Sequence, residues 1–265
     1  MNKRLVIIFV SIAIVISMFV LGAVFFTVKD VVIVVHDDEQ ISFDKTEILN
    51  TSGIKMGTSI FAVDEDKASE NIEKKYPTLK VIKIERVFPN KVRIELIERV
   101  GILTLKIEGV EDYLILDREL KVIAVENYEY VMSNNLVPIK GYEYKISEGK
   151  KSDDLIGEFI SKNNYIYKSI EDIVLSLETF GNINERLCAF ANNFTVNEKE
   201  NYISVKTNLG VSLVLRLNTN KSIKEQMDLI YRKLDSMSDS EREKEDFIYI
   251  KTNGDLVVSN QIKFD

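Results

Sequence analysis

The chain begins with a long run of uncharged, mostly apolar positions. Residues 5–28 contain no charged side chain and are rich in Ile, Val and Phe. A helix over this run would be about 36 Å long at about 1.5 Å per residue, and the hydrocarbon core of a bilayer is about 30 Å thick. The run is longer than the apolar region of a cleaved signal peptide and offers no Ala-x-Ala cleavage site. We therefore predict a retained transmembrane helix at residues 5–28.

Charged positions on either side of the run predict its orientation. Lys3 and Arg4 precede it, whereas Lys29 and Asp30 cancel each other behind it. The positive-inside rule makes residues 1–4 a cytoplasmic tail and places the rest of the chain outside the cell membrane. The whole chain has 42 acidic against 35 basic residues. Anionic lipid head groups should repel such an exterior, so the helix alone is expected to hold it at the membrane.

Behind the run, the pattern becomes that of a small α+β domain at residues 29–99. Residues 31–35 are all β-branched and predict a strand. Residues 43–50 predict a short helix. Asp64 is a candidate N-cap for a second helix, and Pro77 is placed to end it.

A hairpin completes this small domain. Ile82 and Ile84 alternate with charged neighbours, and Phe88-Pro89-Asn90 supplies turn-forming residues behind them. The apolar positions of the second strand are Val92, Ile94 and Leu96. Because side chains alternate across a strand, we predict that Ile94 faces the core of a strand-helix-helix-hairpin domain.

Residues 100–265 predict a second domain, a mixed, mainly antiparallel β-sheet with packed helices. Helices are expected from Ser152 or Asp153, from Ile166, where a strand at 174–177 is the alternative, and from Ser222. Strands are predicted at residues 101–107, 113–116, 122–125, 203–207, 211–215, 247–250 and 256–258. Thr252-Asn253-Gly254 separates the last two, and Asn-Gly is a strong hairpin signal.

The composition excludes several kinds of chemistry. The chain has one histidine, His36, one cysteine, Cys188, and no tryptophan. Histidine-dependent triads and His/Cys zinc sites are almost excluded by these counts. The pI of about 5.1 argues against a nucleic-acid binder. We predict no catalytic residue, no cofactor and no metal site, although paired-carboxylate chemistry cannot be judged without geometry.

Several short segments follow one another in a fixed order behind the apolar run. They are Gly57 with Phe61 and Asp64, Tyr76-Pro77, Arg86-Val87-Phe88-Pro89-Asn90, Ile94, Glu98-Arg99, Tyr113-Leu114-Ile115-Leu116-Asp117, and Leu136-Val137-Pro138 with Gly141. This order resembles the FtsQ/DivIB family of bacterial cell-division proteins. A glycine that often follows the aspartate in that family is absent, and Leu120 stands nearby instead.

The resemblance implies a single-pass membrane protein with a POTRA domain at residues 29–99 and a β-rich domain at residues 100–265. It further implies a non-enzymatic scaffold of the divisome at the division septum. Its implied partners are FtsL and the FtsB/DivIC-type coiled-coil protein. The alternative is an anchored cell-wall polymer binder or hydrolase. An exposed strand edge would favour the scaffold, whereas a cleft of acidic and aromatic residues would favour the alternative.

The final hairpin is the predicted partner site. A strand at a sheet edge has unpaired N–H and C=O groups that can accept a strand from another chain, and the resemblance implies this mode near the carboxyl end. The plainer interpretation is that Leu256 and Val258 pack inward and the edge is merely tolerated. The residues predicted to bind a partner are Phe247, Ile248, Tyr249, Ile250, Lys251, Leu256, Val257 and Val258.

Overall fold

The structure of the protein is a computed structural model, and the chain divides into two compact units, Met1–Arg99 and Val100–Asp265. The residues that the structure describes are 11–14, 16–17, 22, 24–36, 43–180 and 187–265. The predicted cytoplasmic tail and part of the predicted span lie outside them, at residues 1–10, 15, 18–21 and 23. Within the described residues, no helix combines the length and the apolar character needed to cross a membrane.

The amino-terminal unit is a three-stranded sheet with two helices. The sheet order is β1-β3-β2, with β1 parallel and β2 antiparallel to the central β3. Its elements are β1 (Asp30–Val35), α1 (Lys45–Ser52), a 3₁₀ turn (Ile60–Ala62), α2 (Glu65–Lys75), β2 (Leu79–Val87) and β3 (Lys91–Glu98). This is the strand-helix-helix-hairpin order that the sequence predicted.

Local signals set the ends of the second helix. The carboxylate of Asp64 accepts a hydrogen bond from the backbone N–H of Lys67 at 3.0 Å, which satisfies one of the open donors of the first turn. Glu65 and Asp66 lie at the positive end of the helix dipole. The helix ends at Lys75, two residues before Pro77, as predicted.

The core of this unit lies under the central strand. Val92, Ile94 and Leu96 are all fully buried, so the predicted inward orientation of Ile94 is confirmed. The predicted alternation on β2 is only half correct. Ile84 is buried, but Ile82 is 49% exposed because the pairing of β2 with β3 shifts register between Val81 and Lys83. Such an irregularity breaks the two-residue period.

The carboxyl-terminal unit contains one nine-stranded sheet. Its strands are β4 (Leu103–Ile107), β5 (Tyr113–Leu116), β6 (Val122–Glu126), β7 (Val137–Tyr144), β8 (Ala191–Asn197), β9 (Tyr202–Thr207), β10 (Ser212–Arg216), β11 (Phe247–Ile250) and β12 (Leu256–Ser259). Its helices are α3 (Tyr128–Ser133), α4 (Tyr165–Thr179), α5 (Ile223–Ser236) and α6 (Asp239–Arg242).

The sheet is mixed and mainly antiparallel. Its order is β12-β11-β10-β9-β8-β7-β4-β5-β6. The pairs β10–β11, β7–β8 and β4–β7 are parallel, and the other neighbouring pairs are antiparallel. This arrangement agrees with the α+β fold class predicted from the sequence.

Two helices cover the apolar side of this sheet, and each shows the predicted stripe of buried residues. Residues 174–177 belong to α4, so the alternative strand at that place is wrong. The helix α5 begins with a capping box, in which the Ser222 hydroxyl accepts from the Glu225 N–H and the Glu225 carboxylate accepts from the Ser222 N–H. The buried positions of the two helices include Ile166, Ile170, Ile173, Leu177, Met227, Ile230 and Leu234.

The helix predicted from Ser152 or Asp153 is wrong. The segment contains two 3₁₀ turns, Ser152–Leu155 and Ile160–Asn163. Between them the chain pairs with β6, because the Gly157 N–H donates to the Val122 carbonyl at 2.7 Å and the Val122 N–H donates to the Glu158 carbonyl at 2.9 Å. Of the apolar residues that suggested a helical stripe, Leu155 and Ile160 therefore lie in the 3₁₀ turns, and Ile156 and Phe159 lie on the extended connection between them.

Candidate functional site

The predicted partner hairpin is present, and its two strands differ in position. The strand β11 lies between β10 and β12, whereas β12 is the last strand of the sheet order. Ile248, Tyr249 and Ile250 are buried. Of the predicted partner residues, those on β12 therefore offer the accessible backbone, and most of those on β11 lie inside the sheet.

Hydrogen-bond alternation identifies the outward groups of β12. The Lys251 N–H donates to the Asp255 carbonyl at 2.8 Å, which makes that pair a hydrogen-bonded one. In an antiparallel ladder such pairs alternate with non-bonded ones, so Tyr249/Val257 is bonded and Ile248/Val258 is not. The backbone N–H and C=O groups of Leu256 and Val258 thus point away from β11, toward the open edge.

The turn between these strands is held by its own polar groups. Gly254 has φ 95° and donates its N–H to the Lys251 carbonyl at 3.0 Å. The Asn253 amide donates to the Asp255 carboxylate at 2.7 Å, and the Asp255 N–H donates back to the Asn253 side-chain oxygen at 3.1 Å. This turn fixes the register of β12, and with it the set of groups that faces outward.

The last residues cross the face of the sheet. The Phe264 ring lies 5.7 Å from the Tyr249 ring and 4.7 Å from the guanidinium carbon of Arg216. The Thr252 N–H donates to the Phe264 carbonyl at 2.9 Å, and the Tyr249 hydroxyl donates to the Gln261 carbonyl at 3.2 Å. These contacts bury Tyr249. In the part of the chain that the structure describes, this segment makes no backbone-to-backbone hydrogen bond with β12, although the Gln261 N–H donates to the Ser259 hydroxyl at 3.2 Å.

Edge protection differs between the two ends of the sheet. At β6 the first residue, Val122, is bonded on its outer side by Gly157 and Glu158. The strand β12 contains neither proline nor a charged residue, the usual devices that discourage edge pairing. Leu256 and Val258 share one face of the strand: Val258 packs against the core, and Leu256 is 38% exposed. The plainer interpretation was that Leu256 and Val258 pack inward at a tolerated edge. The inward packing of Val258 agrees with it, whereas the exposure of Leu256 does not.

The same unit also contains a cleft of about 800 Å³ that the sequence did not reveal. Its aromatic members include Tyr142, Tyr144 and Tyr167, and its acidic members include Glu108, Glu158 and Glu198. The Tyr144 ring stacks on the Tyr167 ring at 6.1 Å. Tyr142 and Tyr144 share one face of β7, which was not predicted as a strand, so the signal of two tyrosines two residues apart was present but unused.

Charges in this cleft are largely balanced by lysines. Glu158 pairs with Lys150 at 2.7 Å, and Glu108 pairs with Lys145 at 3.5 Å. The hydrogen bond to Glu158 raises the pKa of the Lys150 ammonium. Burial raises the pKa of Tyr144 and, more strongly, that of Tyr167. Neutral rings and hydroxyl groups beside paired charges suit a ligand rich in hydroxyl groups.

Metal chemistry finds no support in the described ranges. No group of three or more His, Cys, Asp or Glu residues is arranged there to hold a metal ion. Cys188 is half-buried against the core of the sheet. His36 lies 3.3 Å from the Glu95 carboxylate on the neighbouring strand of the amino-terminal unit.

Comparison with known families identifies the amino-terminal unit. A model of the FtsQ-type POTRA domain matches residues 28–99. Residues 28–99 form an FtsQ-type POTRA domain. The match supports the assignment of the chain to the FtsQ/DivIB family, and such a domain suggests a scaffold role in cell division. FtsQ-type proteins are generally non-enzymatic. No curated protein matches the chain.

Residues that carried the resemblance have structural roles in this POTRA domain. The Arg99 guanidinium, 3% exposed, pairs with the Glu73 carboxylate at 2.8 Å and donates to the Leu79 carbonyl at 3.2 Å. The Arg99 N–H donates to the Thr78 carbonyl at 2.7 Å. Arg99 therefore ties the end of the domain to α2 and to the start of β2.

Proposed function

We propose that the chain is a non-enzymatic, membrane-anchored scaffold of the bacterial divisome. It binds other bitopic division proteins outside the cytoplasmic membrane and helps to assemble the septal complex. The helix at residues 5–28 holds it in the cell membrane as a single-pass protein with a cytoplasmic amino terminus. The observation that carries the proposal is the unprotected edge of β12 in a chain with an FtsQ-type POTRA domain.

Partner capture occurs by strand addition at β12. An extended partner segment lies beside the strand and exchanges hydrogen bonds with the outward groups of Leu256 and Val258. The exposed part of Leu256 provides an apolar contact for a partner side chain. The proposed partners are FtsL and the FtsB/DivIC-type protein, from which an extended segment beside the coiled coil would supply the strand.

Proline substitution tests this mechanism at single backbone groups. Val258→Pro removes an outward N–H that no strand of the sheet uses, so the unit should fold while partner capture is lost. Val258→Thr retains the N–H and the branched side chain, so it is the matched control and should bind as the wild type does. Val257→Pro removes the N–H that points to Tyr249 and should lower the stability of the unit.

The readout is recovery of the division partners from membranes at native expression. Capture by Val258→Thr together with loss in Val258→Pro supports edge pairing, provided that both variants unfold at the wild-type temperature. Wild-type capture by a folded Val258→Pro would show that the partner binds elsewhere.

The tyrosine cleft favours a second candidate, a binder of cell-wall polymer. Aromatic rings stack on sugar rings, and the cleft also contains polar groups, among them the Tyr142 hydroxyl, which accepts from the Asn164 amide at 3.0 Å. Tyr144→Ala should reduce co-sedimentation with purified peptidoglycan if the cleft binds glycan, whereas the partner capture tested above should be unchanged. Equal co-sedimentation of Tyr144→Ala and wild type would remove this candidate. Dye release from labelled peptidoglycan would reveal a hydrolase.

A further inference from the structure

One end of the POTRA domain carries an exposed group of phenylalanines. Phe61 is 60% exposed, Phe88 is 56% exposed and Phe25 is 58% exposed. The rings of Phe61 and Phe88 are 5.5 Å apart although the residues come from different loops. Phe26 joins them, with ring distances of 5.5 Å to Phe61 and 6.1 Å to Phe88. We call Phe25, Phe26, Phe61 and Phe88 the aromatic end.

Backbone hydrogen bonds fix the aromatic end to the chain that leaves the apolar run. The Ile60 N–H donates to the Phe26 carbonyl, and the Val28 N–H donates to the Thr58 carbonyl, both at 2.8 Å. On the other side, the Lys29 N–H donates to the Asn90 carbonyl at 2.8 Å. Residues 26–29 are thus held between two loops of the domain, and no flexible linker separates the apolar run from the POTRA domain.

This attachment sets the level of the rings relative to a membrane. Phe25 and Phe26 are among the last residues of the uncharged run, which ends before Lys29. If residues 5–28 span the bilayer, the end of the run lies at the boundary between acyl chains and head groups. Rings within about 6 Å of Phe26 then lie at the same boundary, where membrane-surface segments bury apolar side chains such as Phe and Leu.

We propose that the aromatic end is a membrane-contact surface through which the POTRA domain rests on the lipid interface. Phe61 and Phe88 enter the outer boundary of the bilayer and fix the orientation of the domain. The inference rests on the proposed membrane anchor, and it departs from the expectation that the helix is the only membrane contact. The repulsion expected from anionic head groups acts on the charged residues of the domain, whereas the groups that enter the boundary are uncharged rings.

Tryptophan substitution can measure the depth of each ring, because the chain contains no tryptophan of its own. The full chain carrying Phe61→Trp or Phe88→Trp is reconstituted into vesicles with lipids brominated on their acyl chains. Ile82→Trp is the matched control. Ile82 is 49% exposed on the same domain and lies about 20 Å along β2 from Phe88 at about 3.3 Å per residue.

The proposal predicts blue-shifted emission and strong quenching by bromine for Phe61→Trp and Phe88→Trp, with neither effect for Ile82→Trp. Unquenched emission from both test positions in chains that float with the vesicles would overturn it. Blue-shifted but unquenched emission would assign the surface to a second copy of the chain and also overturn it. Chains that do not float with the vesicles would refute the anchor of the proposed function itself. Circular dichroism verifies that each variant is folded.

Discussion

Substitution of Arg99 by methionine should destabilise the POTRA domain more than any surface change. The Arg99 side chain is 3% exposed, and its partner Glu73 is 20% exposed. Removal of one member of a buried ion pair costs about 3–5 kcal/mol. After Arg99→Met, the Glu73 carboxylate loses its bond to Arg99 and keeps the one from the Val81 N–H at 3.0 Å. A single domain has a total stability of about 5–15 kcal/mol, and a small one lies toward the lower end.

Comparison of Arg99→Met with the double variant Arg99→Met/Glu73→Leu separates the electrostatic cost from the loss of side-chain packing. Arg99→Lys retains the positive charge but lacks the guanidinium that donates to both Glu73 and the Leu79 carbonyl. It should therefore be more stable than Arg99→Met but less stable than the wild type. The double variant removes the carboxylate as well, but it also removes the acceptor of the Val81 N–H bond at 3.0 Å, so it should recover at most part of the stability lost in Arg99→Met.

Hydrogen exchange of the full-length chain is the suitable assay, because it reports the POTRA domain separately from the second unit. A loss of about 3–5 kcal/mol corresponds to between about two and four orders of magnitude in exchange rate for the slowest amides of β3. An Arg99→Met chain whose β3 amides exchange at the wild-type rate would refute the assigned role of this ion pair.

Three further substitutions test other parts of the account. Ile94→Ala should cost about 2–5 kcal/mol, since Ile94 is fully buried between β1 and β2, whereas Arg93→Ala should leave the unfolding temperature nearly unchanged. Leu120→Gly should relieve about 1–2 kcal/mol of strain from the left-handed backbone conformation, but it also removes a buried side chain. The free energy of unfolding measured with urea should therefore fall by about 1–3 kcal/mol. Burial raises the pKa of Tyr167 above its value of about 10 in the unfolded chain, so the stability that is fully present below about pH 10 is lost as the pH rises further. Tyr167→Phe has no hydroxyl to ionise, so its unfolding temperature should fall less across the alkaline range.

Signals confined to a few neighbouring residues predicted local structure well. Asp64 and Ser222 marked the helix starts, and the Asn253-Gly254 turn marked the last hairpin. In each case the residues responsible for the structure lie within four positions of one another, so the local sequence is sufficient to predict it. The apolar stripes of α4 and α5 extend over several turns and predicted helices correctly, whereas the short stripe behind Ser152 predicted one wrongly.

Two strands in the middle of the sheet were missed. β7 contains Pro138 and Gly141, residues that usually argue against an inner strand. Gly141 is required because its φ is 76° and a Cβ there would lie 2.4 Å from the Val196 carbonyl oxygen. β8 shifts register between Ala191 and Asn193, so its buried residues do not alternate regularly. These causes are contacts between distant segments, which a pattern along the chain does not record.

The candidate site was predicted in outline but not in detail. The final hairpin was correct, yet the sequence could not tell which of its strands is the outer one. That depends on the parallel pairing of β11 with β10, across residues far apart in the chain. The tyrosine cleft and the aromatic end were both missed, because each brings together side chains from separate segments. Leu120, with φ 51°, occupies a conformation that favours glycine, so the absent family glycine did mark a special backbone position.

The central claim is that a partner strand pairs with the outer edge of β12. Residue-resolved amide exchange of β12, with and without the FtsB/DivIC-type partner, tests it most directly. The account predicts that the Leu256 and Val258 amides become protected on binding, whereas the Val257 and Ser259 amides, already bonded to β11, change little. Binding of the partner with no added protection at Leu256 and Val258 would contradict strand addition at this edge.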